Sequence, residues 1–388
     1  MSSDDQDAEH TQDAKEPQGD SQKALWRVLR HRRGLAGGIV GGLTGVLLGA
    51  GVVAWQADTF PLGPDPKVCW GSLSADELPT RTEHSGWDRG LDASVEELTP
   101  RWTTFDGITA HCRISDGSQK VDIRVGEPHS SPGRPRADGT SWSREFLTSN
   151  MSWIGGDTPG MVAPQRAWIA IPETCYRTGD NEPPVIVDIS LSALDGEGTD
   201  YSPPQDDDHR LWLAQTVTRL ANGVMADRGC ADRIALPDTV PERPSHHPVD
   251  DAGSLCGIDG LTATEDAAPV LATQRISAGE GPVRVCALGV GGTKSLSTMT
   301  IEAPALAAIL RGAASSLGKR VYGDNFYGGM SASLSVLHVT CGTGEVALVM
   351  RGSWNHPDPA LMEDMFPRYV TAEADRIGCG PLSLDDTD

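Results

Sequence analysis

The chain has 388 residues, a mean hydropathy of −0.30 and a formal net charge of −22. That length suits two ordinary domains, and the hydropathy suits a soluble fold with one short apolar segment rather than a polytopic membrane protein. The acidity argues against nucleic acid as a partner, because neutralising phosphates needs clustered Lys and Arg. Only six of the 32 basic residues are lysine, the usage of a GC-rich genome.

Residues 1–22 are polar and acidic without large apolar side chains, so they are expected to be disordered. Residues 23–33 (KALWRVLRHRR) are basic with interspersed Leu and Trp, the pattern of a segment lying at an anionic membrane surface. Residues 34–55 (GLAGGIVGGLTGVLLGAGVVAW) carry no charge. As a helix they would span about 33 Å, enough for a hydrocarbon core of ~30 Å. Lys23, Arg27, Arg30, Arg32 and Arg33 precede this run, and Asp58 and Asp65 follow it. The positive-inside rule therefore predicts a single-pass protein of the cell membrane, with its N-terminus cytoplasmic and the bulk of the chain extracellular. Cleavage as a signal peptide is disfavoured by the long polar lead-in and by Ala54-Trp55-Gln56, a poor cleavage site. Gly37, Gly41, Gly45 and Gly49 would share one helix face, where small residues let two backbones approach. They are candidate packing residues for a second copy or another membrane protein.

All eight cysteines (Cys69, Cys112, Cys175, Cys230, Cys256, Cys286, Cys341 and Cys379) follow the apolar run. An even count in an exported region predicts disulfides. The closest two cysteines are 30 residues apart, which disfavours zinc.

The eight also form two sets of four in similar surroundings. VCWGSLSADELP around Cys69 parallels LCGIDGLTATEDAAP around Cys256, and AHCRISDGSQKVDIRV around Cys112 parallels VRVCALGVGGTKSLSTMTI around Cys286. RAWIAIPETCYRTGDNEPPVIVDISL around Cys175 parallels LSVLHVTCGTGEVALVM around Cys341. Each set closes on a helix pattern, ADRGC at Cys230 and ADRIGC at Cys379. The predicted fold is α+β: one transmembrane helix, then two duplicated, disulfide-bonded domains, each with an antiparallel sheet and a C-terminal helix. Each repeat reads as a short helix, two strands, two further strands and the closing helix. Repeat one covers residues 66–240 and contains a Pro/Gly/Ser-rich insertion at 126–164. A proline-bearing linker covers 241–252, and repeat two covers 253–382. Four cysteines allow three connectivities per repeat. The pairing adopted is first with second and third with fourth: Cys69–Cys112, Cys175–Cys230, Cys256–Cys286 and Cys341–Cys379.

Searching for chemistry, the sequence has no G-x-S-x-G elbow and no H-E-x-x-H. LGVGGTKS at 288–295 lacks the second glycine of a phosphate loop and reads as a hairpin turn. Asp206, Asp207, Asp208 and His209 could take a hard cation, but lack the EF-hand ligand order and read as the lead-in to a helix. Asp195, Glu197 and Asp200 read as solvated charge. His246 and His247 sit in the linker. Trp142 and Trp153, in the loop-rich insertion, are candidates for a contact surface. No catalytic residue, cofactor or metal ligand is assigned. The expected function is a membrane-anchored extracytoplasmic binding or assembly protein. The alternatives are an exported cell-envelope enzyme with an unidentified carboxylate site, and a transmembrane sensor acting through a separate cytoplasmic partner.

Overall fold

The computed structural model describes residues 67–74, 94–103, 107–115, 119–128, 139–155, 159–176, 184–193, 206–249, 254–289, 295–353 and 357–384. Residues 34–55, with Gly37, Gly41, Gly45 and Gly49, lie outside this set, as do Asp195, Glu197 and Asp200. No described helix is long and apolar enough to cross a membrane. Residues 65–388 form one compact unit, mixed α and β, with antiparallel sheets.

Its first half opens with a small hairpin of β1 (Lys67–Val68) and β2 (Leu73–Ser74). Three long strands follow: β3 (Ser94–Thr103), β4 (Gly107–Ser115) and β5 (Gln119–Gly126). Helix α1 (Thr140–Phe146) leads to β6 (Ser152–Trp153), β7 (Gly160–Ala163) and β8 (Arg166–Ala170). A single turn, α2 (Glu173–Tyr176), precedes β9 (Ile186–Ala193), and α3 (Asp207–Asp227) closes the half. The sheet runs β3-β4-β5-β9-β8-β7-β6.

The second half begins at β10 (His247–Pro248), followed by a 3₁₀ turn at Leu255–Gly257. Next come β11 (Thr273–Ile276), β12 (Val283–Leu288) and β13 (Leu296–Ile301). Helices α4 (Pro304–Ala308) and α5 (Arg311–Ser316) precede β14 (Lys319–Tyr322) and β15 (Phe326–Met330). Then β16 (Leu334–Cys341), β17 (Gly344–Gly352) and α6 (Pro359–Arg376) complete the chain. Apart from the added edge strand β10, the order is β11-β12-β13-β17-β16-β15-β14. Both halves thus place helical segments between their third and fourth long-sheet strands and a long helix after the seventh.

The local causes are ordinary. In β5, Val121, Ile123 and Val125 are buried on one face, while Lys120, Asp122 and Arg124 alternate on the other. In α3, Leu213, Val217, Leu220 and Val224 form a buried stripe. Asp206 caps that helix by accepting from the His209 N–H at 2.7 Å, and Gly229 ends it at φ 76°. In α6, Asp358 accepts from Leu361 N–H, Pro359 fills the first turn, and Gly378 ends the helix at φ 70°.

Two local expectations change. The segment at Cys69 is not a short helix: Cys69, Trp70 and Gly71 take left-handed backbone in a hairpin turn. Residues 126–164 are not an insertion either, since they supply α1, β6 and all of β7, and each large sheet has seven shared strand positions rather than four. Short strands flanked by Gly and Pro carry too little periodicity to be read alone.

The four disulfides are Cys69–Cys112, Cys175–Cys230, Cys256–Cys286 and Cys341–Cys379, and no cysteine is free. The first and third tie a left-handed cysteine (Cys69, φ 51°; Cys256, φ 59°) to the second strand of its sheet. The second and fourth tie Cys175 in α2 and Cys341 at the end of β16 to Cys230 and Cys379, each three residues beyond the closing helix.

Three cores hold the unit. The first packs α3 on Ile114, Ile123, Val187 and Ile189, and the second packs α6 on Leu337, Leu348 and Met350. The third lies between the halves, joining Trp142, Phe146, Trp153 and Trp168 to Val285, Met299, Leu310 and Val349. Trp142 and Trp153 are therefore not an exposed contact surface; they seal one half to the other. Trp153 N–H donates to Ala278 O at 2.8 Å, and Ala278 N–H donates to Met151 O at 3.2 Å. Arg351 Nη2 donates to Ser143 Oγ at 2.5 Å.

The chain between the halves is a strap rather than a free linker. It runs back along α3, where Asn222 Nδ2 donates to Ile234 O, Gln215 Nε2 to Pro237 O and Arg210 Nη2 to Pro241 O. Arg210 is fully buried and also donates to Asp207 and to Ser152 Oγ.

Candidate functional site

On the sheet face away from α3, β4, β5, β9 and β8 carry two rows of cross-strand partners. His111, Arg124, Asp188 and Trp168 stand opposite one another in one row, and Arg113, Asp122, Ser190 and Arg166 in the next. Arg124 Nε donates to Asp188 Oδ1 at 3.0 Å, and Arg113 Nε donates to Asp122 Oδ1 at 2.8 Å. His111 Nε2 lies 3.0 Å from the same Asp122 oxygen, and Lys120 Nζ lies 3.5 Å from the other. From α1, Glu145 reaches Arg124 at 3.6 Å and Arg166 at 3.9 Å. Both guanidinium groups lie over the Phe146 ring, at 5.6 and 5.7 Å from its centroid. The arginines and the lysine are 28–40% exposed and reach solvent, while Asp188 and Trp168 in the same rows are buried.

Aligning the halves on Cys112 and Cys286, second-strand cysteines facing Ile123 and Thr298, gives a register-by-register comparison. The first row corresponds to Val285, Met299, Val349 and Val336, all buried. The second corresponds to Ala287, Ser297, Arg351 and Leu334. At the first-row positions the second half is apolar and buried throughout, whereas in the first half His111 and Arg124 reach solvent beside a buried Asp188 and a buried Trp168.

Burial pushes the Asp188 carboxyl up to about 6, even with Arg124 beside it, and the Asp188 charge raises Arg124 in turn. At Asp122, burial works upward but is outweighed by the hydrogen bonds from Arg113 and His111, so its pKa falls below the usual range. Two carboxyls on neighbouring strands are therefore driven apart. Because the Asp188 pKa is raised in the folded state, the native protein binds more protons than the unfolded chain between about pH 4 and 6. Stability from this group is present at low pH and lost as pH rises through 6, on the order of 3 kcal/mol across the window. Urea titrations of the wild type and of Asp188→Asn from pH 4 to 7 should show this as a difference in slope. Parallel profiles would remove Asp188 as the cause.

Two other polar clusters serve the fold. On β16 and β17, His338 Nδ1 lies 2.9 Å from Glu345, which also receives Arg311; Tyr327 stacks on the imidazole at 5.2 Å. Burial lowers the His338 pKa despite that carboxylate. Under α6, buried Glu373 receives Thr300 and both Arg376 nitrogens at 2.7 Å, and Tyr369 lies 2.8 Å from Thr300.

Of the sequence candidates, Asp206 is a helix cap, Asp207 pairs with Arg210, and His209 Nε2 lies 2.9 Å from Pro164 O. Among the described residues no group of three or more His, Cys, Asp or Glu side chains is arranged to hold a metal ion. His246 and His247 lie exposed on the strap. Leu288 and Leu296 pair across β12 and β13, so 288–295 connects a hairpin. The charged rows were missed because alternating charge in β5 reads as a plain solvent face. Arg124 and Asp188 are 64 residues apart, and only the sheet register brings them together.

Comparison with protein-family models, with curated proteins and with solved structures finds no match. The rows themselves must carry the reading.

Proposed function

We propose that this chain is a single-pass membrane protein whose exported part consists of two copies of one disulfide-bonded unit, and that it serves as a binding or assembly module through the charged rows of the first copy. The observation that carries the reading is the contrast between corresponding positions: Val285 and Met299 pack in a core, whereas His111 and Arg124 reach solvent, with Asp188 buried beneath them as the partner of Arg124. Duplication is supported by the shared strand order, the matching bridge positions, the left-handed Cys69 and Cys256, and the Gly-Cys endings of α3 and α6. The anchor is supported by the 22-residue uncharged run with basic residues before it, and export by four disulfides. Pairing through Gly37, Gly41, Gly45 and Gly49 belongs to the same proposal. Rows of alternating sign fit a partner that also carries both signs, such as a polypeptide, better than a polyanion.

The test is photo-crosslinking in cells from Arg113 and Lys120, with Lys319 on the far sheet edge as control. A defined protein captured from the first two sites, and lost in Arg113→Glu, is the expected result. Equal capture from Lys319 would sink the reading.

A second reading, an exported enzyme, is favoured by one observation: Asp188 is pushed up while Asp122 is held down on the adjacent strand. That is the arrangement of a general acid beside a base. Retained partner capture with loss of a hydrolytic activity in Asp188→Asn would select it.

A further inference from the structure

The strap and the neighbouring β11 bring basic groups together where no acid pairs with them. Arg275 donates from Nη1 to His246 Nε2 at 2.7 Å and from Nε to Ser149 Oγ at 3.0 Å. Arg243 is exposed, with His247 one residue beyond His246. Partial burial together with the charge of Arg243 depresses Arg275, and slight desolvation with the charges of Arg275 and Arg243 depresses His246. Arg243 and Arg275 are like charges, and His246, which accepts from Arg275 at Nε2, is a neutral imidazole beside them. Among the described residues no ion pair joins Arg243, His246 or Arg275 to a carboxylate, and Glu242 is the sole acid between residues 239 and 249. On a chain of net charge −22 such a cluster is the exception.

The patch is also held in place. Arg210 fixes the strap at Pro241 O, Ser152 Oγ donates to Glu242 O at 3.2 Å, and β10 pairs with β11 through His247–Gln274 and Pro248–Thr273. Pro241, Pro244 and Pro248 stiffen the intervening backbone. Two guanidinium groups, an imidazole and a hydroxyl, presented by a rigid segment at the seam of the two halves, match a tetrahedral oxyanion.

We infer that Arg243, His246 and Arg275, with Ser149, form a binding site for a phosphate group, separate from the charged rows. The group could be supplied by a phospholipid headgroup, as a diester, or by a soluble phosphate-bearing molecule, as a monoester or free ion.

The test is calorimetric titration of the full-length chain with inorganic phosphate at low ionic strength. One saturable site is expected, about tenfold weaker in Arg243→Glu and in His246→Gln, the loss of one charge-assisted hydrogen bond. Arg233→Glu makes the same charge change on the exposed strap outside the patch and should bind like the wild type. No saturable binding, or equal weakening in Arg233→Glu, would overturn the site. Competition with glycerophosphoglycerol then separates the sources. Binding equal to phosphate supports a lipid headgroup, and binding confined to free phosphate supports a soluble ligand.

Discussion

Replacing Trp153 with alanine is expected to cost about 3–5 kcal/mol of unfolding free energy, the range for removing a large buried aromatic side chain. Trp153 is 5% exposed and sits in the core between the halves. Its ring lies where a Cβ on Gly281 would be, and a Cβ on Gly279 would come within 2.8 Å of the Trp153 Cβ. The first and second cores do not use this residue. Each half keeps its own helix-on-sheet packing and both bridges, so the variant should lose coupling between halves before it loses either half. Calorimetry should show one transition in the wild type and two in Trp153→Ala. Gly281→Leu, which displaces the ring from the other side, should reproduce the split. A single transition with a loss under about 1 kcal/mol would mean that the seam is not what joins the halves.

Glu373→Ala should cost a similar ~3–5 kcal/mol, for a different reason. Glu373 is fully buried and accepts from Arg376 twice and from Thr300, which in turn meets Tyr369. Removing the carboxylate leaves the Thr300 hydroxyl without that acceptor and Arg376 with Glu302 alone at 3.3 Å, and the unmet groups dominate the cost. Glu373→Gln keeps the shape and one acceptor, so it should fall between. Chemical denaturation of the three proteins at neutral pH checks the order. If Glu373→Ala and Glu373→Gln are equally stable, the charge at this position is immaterial.

Much of the second-half architecture is legible in the chain itself. The short apolar runs of Leu334–Cys341 and Gly344–Gly352 about a Gly-containing turn, and the helix stop at Gly378-Cys379, can be read from the sequence alone. What escaped has a physical cause. Strands β6 and β7 are two and four residues long, too short to show a period, and their residues are buried because another half of the chain covers them. The charged rows escaped because strand pairing, not sequence distance, sets which side chains meet. The glycines at 37, 41, 45 and 49 and the apolar run around them fall outside the described residues, so the membrane reading stands on charge and hydropathy.

The placement of the bridges has a consequence for proteolysis. A peptide bond cut anywhere between Cys175 and Cys230 leaves both products covalently joined, and the same holds between Cys341 and Cys379. A protease cutting between β9 and α3 or between β17 and α6 would nick the molecule without releasing either closing helix. Cuts between 113 and 174 have no such protection, since no bridge spans them. There, as between 231 and 255 and between 287 and 340, the fragments would hold together through strand pairing and core packing alone.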